Sequence, residues 1–434
     1  MNKELLSSKN RRAMALVPVL LVAMVLLIFS AAFFTISVNQ HYTAEIFKRR
    51  TEALGLAEAG LDNAIVWLRA QSSPPVGNYT NPWGGIQTLG GGSYDVAIED
   101  LGVVGSSVTV RRYKVTSMGS FGNRTRILTN YVQVDNYARY LWFTDQEVFS
   151  GTNVWFWSQD RLNGPTHTNA HYNIMGNPVF ESQVQSVDNY VRFYNNGNNI
   201  NLAQSTNPPY DNPDFQQGLD FGAEQTTMPT QALNLRAGAA SGGLSLRGDT
   251  IVTFLSNGTM NVTNSRQGWN NRNMALPANG ALFVDRGSLT ISGTLDGRLT
   301  VGTSRDIKIP GNITYADDPE INPNSDDILG IIAEGDVVID DAAPYDLVIK
   351  GCAMAMDTSF MLENWWAVAA KGILTVYGGI IQDERGPVGT FNGQTGQKIS
   401  GYSKDYRYDP RLLANPPPYM PTTGDYITLS WEEN

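Results

Sequence analysis

The sequence predicts a mainly β protein with one long N-terminal α-helix, a small antiparallel sheet packed on that helix, and a β-solenoid body that resembles a parallel β-helix. Three observations predict this fold. An uncharged apolar run begins at Ala13, and an amphipathic pattern of helical period follows it directly. The remainder of the 434-residue chain is rich in Gly and Asn, and its second half repeats a short frame of apolar residues around a Gly.

Residues 13–44 contain no Asp, Glu, Lys or Arg. A membrane-spanning helix needs roughly 20 apolar residues, and residues 13–36 meet that length on their own. A cleaved signal peptide is the alternative, because residues 30–32 (Ser-Ala-Ala) are small enough for a cleavage site. Its apolar region would be longer than such peptides use. We therefore expect residues 13–44 to be retained in the lipid bilayer.

The distribution of charge predicts the orientation. Residues 1–12 form a basic tail with Lys3, Lys9, Arg11 and Arg12, which places the N-terminus in the cytoplasm by the positive-inside rule. We expect a single pass through the inner membrane, with the C-terminal body outside the cytoplasm. The first 50 residues carry a formal charge of +5 and the remainder carries −15. Nucleic acid is excluded as a partner of so acidic a body. The single cysteine, Cys352, excludes an internal disulfide.

The apolar pattern continues beyond the membrane segment. Phe47, Leu54, Leu61 and Leu68 recur every seven residues, so they share one face of a helix. Residues 93–98, 107–117 and 124–134 alternate apolar and polar side chains and predict three antiparallel strands. We expect the four apolar side chains to be buried against this sheet, and we assign residues 45–140 to a helix continuation with a β head.

The strings RRAMALVPVLLVAMVLL and RRTEALGLAEAGLDNAI resemble the N-terminus of PilX-type minor pilins of type IV fimbrial biogenesis, and are similar also to the tip pseudopilins of type II secretion. The resemblance implies a processing site between Ala13 and Met14, and an assembly helix that includes Pro18 and Leu21. Two residues depart from the family pattern. Ala13 stands where Gly is usual, and Pro18 stands where major pilins carry a Glu, as in minor members at the filament tip.

Residues 141–280 form an Asn-rich segment with Pro208, Pro209 and Pro213 near its middle. Its pattern predicts irregular or β structure, and two interpretations stay open. The segment is either a loop-rich insertion or a polar binding region.

Residues 281–434 contain the repeat. The frame occurs at 283–291, 331–339 and 368–376, with a degenerate copy at 301–309. Short strands broken by a Gly turn are what a stacked solenoid needs, and antiparallel sandwich strands are the alternative. The repeat predicts equivalent turns at Gly287, Gly335 and Gly372, and inward-facing side chains at Leu289, Val337 and Leu374. We expect the Pro- and Tyr-rich tail, residues 402–431, to cover an edge of the body.

The region after Gly280 also resembles an uncharacterised bacterial domain that follows PilX-like N-termini. The strings GTLDGRLTV, GNITY, LGIIAEGDVVI, YRYDPRL, PPPY and LSW carry this resemblance. The earlier tripeptide 167–169 and the stretch 176–180 are similar to that family too. The resemblance implies a pilus-associated context and no particular chemistry.

Few residues are candidates for chemistry. Calcium candidates with oxygen side chains at every second position are Asp318, Glu320, Asn322, Asn324 and Asp326. His167 and His171 form H-x-x-x-H, which pairs on a metal only within a helix, and the nearby Gly and Pro disfavour one. The adjacent carboxylates Asp340 and Asp341 point to opposite faces of a strand, so they do not by themselves form a glycosidase pair. Tyrosines in the tail are candidates for stacking on sugars. We expect no catalytic residue, no cofactor and no enzymatic activity.

The sequence therefore predicts a membrane-anchored, minor-pilin-like protein of a type IV pilus or related filament, with roles in assembly and adhesion. Its expected partners are other pilin-like subunits, the inner-membrane pilus assembly proteins, the lipid bilayer through residues 13–44, and surface glycans. The alternative is an anchored surface protein that binds polysaccharide, or a β-helix enzyme that cleaves it.

Overall fold

The N-terminal helix is continuous through the membrane segment and the head. The computed structural model describes residues 4–71, 73–105, 107–203, 206–392, 395 and 397–433, with side chains from Leu16 onward. Helix α1 spans Glu4–Arg69 and passes through Pro18 without a break. Its length, 66 residues, corresponds to roughly 100 Å at 1.5 Å per residue. The predicted long helix is confirmed.

The second half of α1 packs on an antiparallel head sheet. Ala53, Ala57, Leu61, Ala64 and Leu68 are buried between the helix and this sheet. The strands of the head sheet are Tyr79–Thr80, Gln87–Leu89, Gly92–Val103, Arg111–Phe121, Arg124–Asn136 and Thr422–Glu433. The predicted small antiparallel sheet is therefore confirmed, and its three main strands pair in sequence order.

The predicted apolar face is only partly buried. Leu61 and Leu68 lie in the head core, and Leu54 is half-buried at its margin. The burial prediction is wrong for Phe47, whose side chain is 65% exposed. The side chains of the helix are buried against the sheet only from Ala53 onward, and Phe47 lies one turn or more before this buried part, toward the membrane segment.

The body is a parallel β-helix whose strands form three faces. The first face contains Leu244–Arg247, Ala281–Asp285, Arg298–Thr303, Ile328–Ala333, the second parts of Leu347–Ala355 and Ala370–Glu384, Trp142–Gln146, Thr166–Thr168, Val184–Ser186 and Leu219–Phe221. The second face contains Thr250–Leu255, the first part of Leu289–Leu295, Ile307–Ile309, Val337–Ile339 and Phe360–Leu362, and then Phe156–Trp157, Asn173–Met175, Val191–Phe193 and the antiparallel Ile200–Leu202.

The third face closes the prism. Its strands are the second part of Leu289–Leu295, Ile313–Tyr315, the first parts of Leu347–Ala355 and Ala370–Glu384, Lys398–Tyr408, Arg161–Asn163, Val179–Phe180 and Asp214–Phe215. Several short elements lie outside the three faces of the β-helix. They are the strands Val148–Phe149, Thr152–Asn153, Thr259–Asn264, Trp269–Ala275 and Gly389–Phe391, the helices α2 (Leu233–Ala240) and α3 (Arg411–Ala414), and the 3-10 turns Tyr137–Arg139, Asn195–Gly197 and Ser265–Gln267.

The chain enters the β-helix in its middle. Residues 142–221 form the coils on one side of this entry point, and residues 244–408 form the coils on the other side. The last coil of the second segment stacks in parallel on the first coil of the first segment, with Ile380 paired to Trp142 and Tyr406 paired to Leu162. We call this contact the join. The Asn-rich residues 142–221 are thus solenoid coils, with the same parallel register as the repeat.

The repeat describes the solenoid with one difference. Leu289, Val337 and Leu374 are all fully buried in one core, as predicted. Leu289 and Val337 stack through Ile307 on the second face. Leu374 instead pairs with Leu347 on the third face, and Gly372 lies inside the strand Ala370–Glu384, at an irregularity in its pairing. The predicted equivalence is wrong for Gly372, because the frame at 368–376 leads into the third face, whereas the other two frames lead from the first face to the second.

The C-terminal tail connects the body to the head. Tyr402 and Tyr406 are buried in the solenoid core, and the final strand, Thr422–Glu433, pairs antiparallel with Arg124–Asn136 of the head. Leu412 and Met420 pack in one buried cluster with Phe283 and Ile328 of the first face, so the middle of the tail covers the body as predicted. The end of the tail differs from the prediction, since it covers the edge of the head sheet. Arg69 at the end of α1 forms an ion pair of 2.9 Å with Asp425 of this strand. The end of α1 and the final strand are therefore both held by the head.

Candidate functional site

The first half of α1 is an apolar surface without cover. Between Leu16 and Phe47 nearly every side chain is exposed, including Pro18 and Leu21. Several hydroxyl groups bond within the helix: Ser30 Oγ donates to Leu26 O at 2.8 Å, and Thr35 Oγ1 donates to Ala31 O at 2.9 Å. Internal bonding of this kind suits an apolar surrounding, where water does not satisfy a hydroxyl.

In the part of the chain that the structure describes, one helix is long and apolar enough to cross a membrane, and it is α1. None of the residues in the 18-residue apolar stretch of this helix is buried. Ala13 and Met14 lie within the range of α1. The helix therefore presents a surface of membrane-spanning length, and the head takes no part in covering it.

The calcium candidates are engaged with cations of the protein. Lys350 Nζ lies 2.5 Å from Asp318 Oδ1 and 2.7 Å from Glu320 Oε2, and Arg407 also pairs with Glu320. Burial alone would raise the pKa of Asp318, but the hydrogen bonds from Lys350 and the backbone of Glu320 outweigh it and lower that pKa. The other candidates point elsewhere: Asn322 bonds Asp317, the Asn324 backbone bonds Asn322, and Asp326 lies near Arg298.

The two histidines do not share a site. His167 is buried on a strand of the first face, where its ring stacks on Phe143 and Nε2 lies 3.0 Å from Asn169 Oδ1. Desolvation lowers the pKa of His167. His171 Nδ1 lies 2.9 Å from Asp188 Oδ2. Each histidine therefore has its own local partner, on extended backbone instead of one helix face.

One cluster of three carboxylates lies close enough to hold a metal among the residues described, namely Asp340, Asp341 and Glu363. Lys308 Nζ lies 3.0 Å from Asp340 Oδ2 and 2.9 Å from Glu363 Oε2. Burial opposes the ionisation of Asp340, but the backbone of Ala342 and Lys308 lower its pKa. The ammonium group thus takes the position between two of the three carboxylates.

Three buried charged side chains and one partly buried lysine form ion pairs across the join. Arg385 Nη1 lies 3.0 Å from Glu147 Oε2, and Lys404 Nζ lies 2.8 Å from Asp160 Oδ2. The two acids belong to the first coil after the entry, and the two bases belong to the last coil of the second segment. The Arg385 guanidinium also lies 3.4 Å from the centre of the Phe156 ring. Desolvation lowers the pKa of Lys404, although Asp160 opposes this shift. Sequence reasoning missed this cluster, because neither pair is close along the chain.

Beside the join lies a cleft of about 500 Å³, which we call the aromatic cleft. Small-molecule sites occupy roughly 300–1,000 Å³. The cleft is lined by two segments that are distant in sequence, 149–157 and 386–391, and by single residues from four other parts of the chain. Its aromatic side chains are Phe149, Trp155, Trp157, Tyr194, Trp365 and Phe391. The run Trp155-Phe156-Trp157 is visible in the sequence as an aromatic segment, but only the fold brings Trp365 and Phe391 beside it.

The fold and these surfaces define a class: a protein with a single exposed apolar helix, a helix-docked β head and a parallel β-helix body. A family model described as Domain of unknown function (DUF4900) matches residues 103–188, from the head into the first coils. No curated protein matches the chain. Among solved structures, the chain is similar to the competence-associated pilin ComZ from Thermus thermophilus, with 12% identity over 89% of this chain and 97% of that chain. The TM-score is 0.33, which is too low to carry an argument about function.

Proposed function

We propose that the protein is a membrane-anchored, pilin-like subunit of a type IV pilus or related filament. One observation carries the proposal: α1 is a single helix whose first half is exposed and apolar, while its second half is buried in a head sheet. The head therefore fixes the helix as a protruding rod. This division of one helix suits a subunit that is first held in a bilayer and then joined to neighbouring helices.

The exposed half must be covered by something apolar. A contiguous apolar surface of this length is unfavourable in water, and lipid and other apolar helices are the surroundings that cover it. The run contains small residues at Ala23, Ser30, Ala31 and Ala32, which allow close approach of another helix. Helix packing between subunits is thus compatible with the same surface that enters the bilayer.

The finer assignment rests on the sequence. The basic tail favours an N-terminus in the cytoplasm and an inner-membrane location, with the head and body outside. Pro18 in place of the usual Glu favours a minor subunit of the PilX type. The proposed partners are other pilin-like subunits and the inner-membrane assembly proteins, and the β-helix would display a surface for adhesion. We propose no catalytic role; in support, the carboxylate clusters at Asp340 and at Asp318 are both paired with lysines.

The test separates anchoring from filament membership. A photo-crosslinking phenylalanine analogue replaces Phe33 in the exposed half of α1, and in a matched variant it replaces Trp366 on the body; both side chains are exposed. In sheared filaments we expect Phe33 to crosslink to other small helical subunits, and Trp366 not to do so. Protein that stays in the membrane and never enters the sheared fraction would overturn filament membership.

Anchoring has its own test. Leu21→Asp places a charge in the middle of the apolar run, which is costly in a bilayer. We expect the variant to leave the membrane fraction, while the parent chain resists extraction at alkaline pH. Recovery of the parent in the soluble fraction, with an N-terminus near Ala32, would revive the cleaved signal peptide.

A further inference from the structure

We propose that the aromatic cleft is a binding site for an uncharged glycan. The inference does not depend on filament membership, since every residue that carries it belongs to the body. Two features of the cleft support it: the arrangement of its aromatic rings, and the absence of a free charge among the described lining residues.

The rings are held in place before any ligand binds. Trp157 stacks on Phe391, with ring centres 5.0 Å apart and an angle of 23° between the planes. Trp155 meets Tyr194 edge to face at 5.4 Å. Phe149 meets Trp365 edge to face at 6.4 Å. The pairs of Trp157 with Phe391 and of Phe149 with Trp365 connect segments from both sides of the join, so the fold itself brings these rings together. Preorganised aromatic side chains provide large contact area with little loss of conformational entropy on binding.

The charges around the cleft disfavour an ionic ligand. Lys404 is the single charged side chain among the described residues that line the cleft, and its ammonium is bonded to Asp160. An acidic ligand would have to compete with that buried carboxylate. The uncharged polar groups nearby are Ser150, Thr152, Asn153 and Thr390. A sugar ring fits this combination, because its C–H face is flat and apolar while its rim carries hydroxyl groups that donate and accept hydrogen bonds.

The experiment uses the full chain in a detergent without a sugar headgroup. The probes are hexamers of β-1,4-linked glucose, α-1,4-linked glucose and β-1,4-linked N-acetylglucosamine, with hexagalacturonate as the acidic comparison and a proline-rich peptide and a fatty acid as other occupants. Binding is measured by calorimetry and by tryptophan fluorescence. We expect at least one neutral hexamer to bind and to shift the fluorescence, with hexagalacturonate at least tenfold weaker.

Variants locate the binding in the cleft. Trp365→Ala removes one aromatic wall and should weaken binding about tenfold. Trp157→Ala removes the ring that stacks on Phe391 and should also weaken binding. Trp431→Ala, in the exposed final strand of the head, is the matched control and should bind like the parent. The proposal would be overturned if none of the neutral hexamers bound, or if the Trp157 and Trp365 variants bound them as tightly as the parent. A preference for the peptide or the fatty acid would also overturn it.

Discussion

Lys404 Nζ donates a hydrogen bond of 2.8 Å to Asp160 Oδ2 across a separation of 244 residues. The neighbouring pair, Arg385 and Glu147, crosses the same join at 3.0 Å. Both pairs connect the coil in which the chain enters the β-helix to the coil in which it leaves. Within residues 142–221 and within residues 244–408, each coil stacks on coils of the same segment. At the join the two segments stack on each other and become one solenoid.

The first prediction concerns the buried ion pair at the join. Arg385→Met leaves the carboxylate of Glu147 buried without its cation, and we expect a loss of about 3–5 kcal/mol in the free energy of unfolding of the body. Urea titration followed by tryptophan fluorescence measures it. Arg286→Met is the control, because Arg286 is 70% exposed and 3.6 Å from its acid, and it should change the free energy by less than about 0.5 kcal/mol. An unchanged midpoint for Arg385→Met would show that the pair does not stabilise the join.

The second prediction concerns two glycines of α1. A Cβ at Gly60 would lie 2.1 Å from Ser117 Oγ of the head sheet, whereas a Cβ at Gly55 meets nothing within 4 Å. Gly55→Ala should stabilise the head by up to about 1 kcal/mol through helix propensity. Gly60→Ala should destabilise it by about 1–3 kcal/mol through overpacking. The thermal midpoint of the head should therefore move in opposite directions. Movement in one direction for both variants would contradict the close approach at Gly60.

The third prediction concerns the docking of the helix on the head. Leu61→Asp places an unpaired charge in the head core and should cost about 3–5 kcal/mol, enough to unfold the head at low urea. Phe47→Asp alters the same helix at an exposed position and should leave the urea midpoint within error. Near-ultraviolet circular dichroism reports the packing of the head. If both variants behave alike, the buried face of α1 is misassigned.

The fourth prediction concerns pH. Desolvation, with Asp145, Glu384 and Asp357 nearby, raises the pKa of Asp383 to about 6, above the ordinary 3.8. A carboxyl group whose folded-state pKa is raised favours folding below about pH 4, and this contribution is lost as the pH rises through 6. At pH 7.5 the free energy of unfolding of Asp383→Asn should therefore exceed that of the parent by about 1 kcal/mol, once solvent screening is considered. The difference should close below pH 4.

A carboxyl group with the opposite shift is the control for the pH prediction. The pKa of Asp318 is lowered, so its contribution is present at neutral pH and is lost as the pH falls through the folded-state pKa. Asp318→Asn should therefore be less stable than the parent at pH 7.5. Unfolding midpoints measured from pH 3 to 8 compare the two variants. Equal signs for both at neutral pH would contradict these assignments.

Some features followed directly from residue patterns. The uncharged run after Ala13 predicted the exposed helix, and the frame around Gly287 and Gly335 predicted equivalent turns with Leu289 and Val337 stacked inward. Both patterns depend on local period: 3.6 residues for a helix and two for a strand. The periodicity of a segment predicts its secondary structure, but it does not predict how much of the segment contacts a neighbouring element. For that reason Phe47 was expected in the head core, and Gly372 was expected at a turn although it lies inside the strand Ala370–Glu384.

The sequence by itself determined which segments are apolar, helical or β, because those properties depend on neighbours within a few residues. Only the tertiary structure decided which of these segments contact one another. The register between Tyr406 and Leu162, the ion pairs across the join, and the assembly of Trp155, Trp365 and Phe391 around one cleft all connect residues far apart in the chain. Their physical cause is the stacking of one coil on another, in which each strand satisfies its backbone hydrogen bonds with the next coil and each inward side chain packs on its equivalent there.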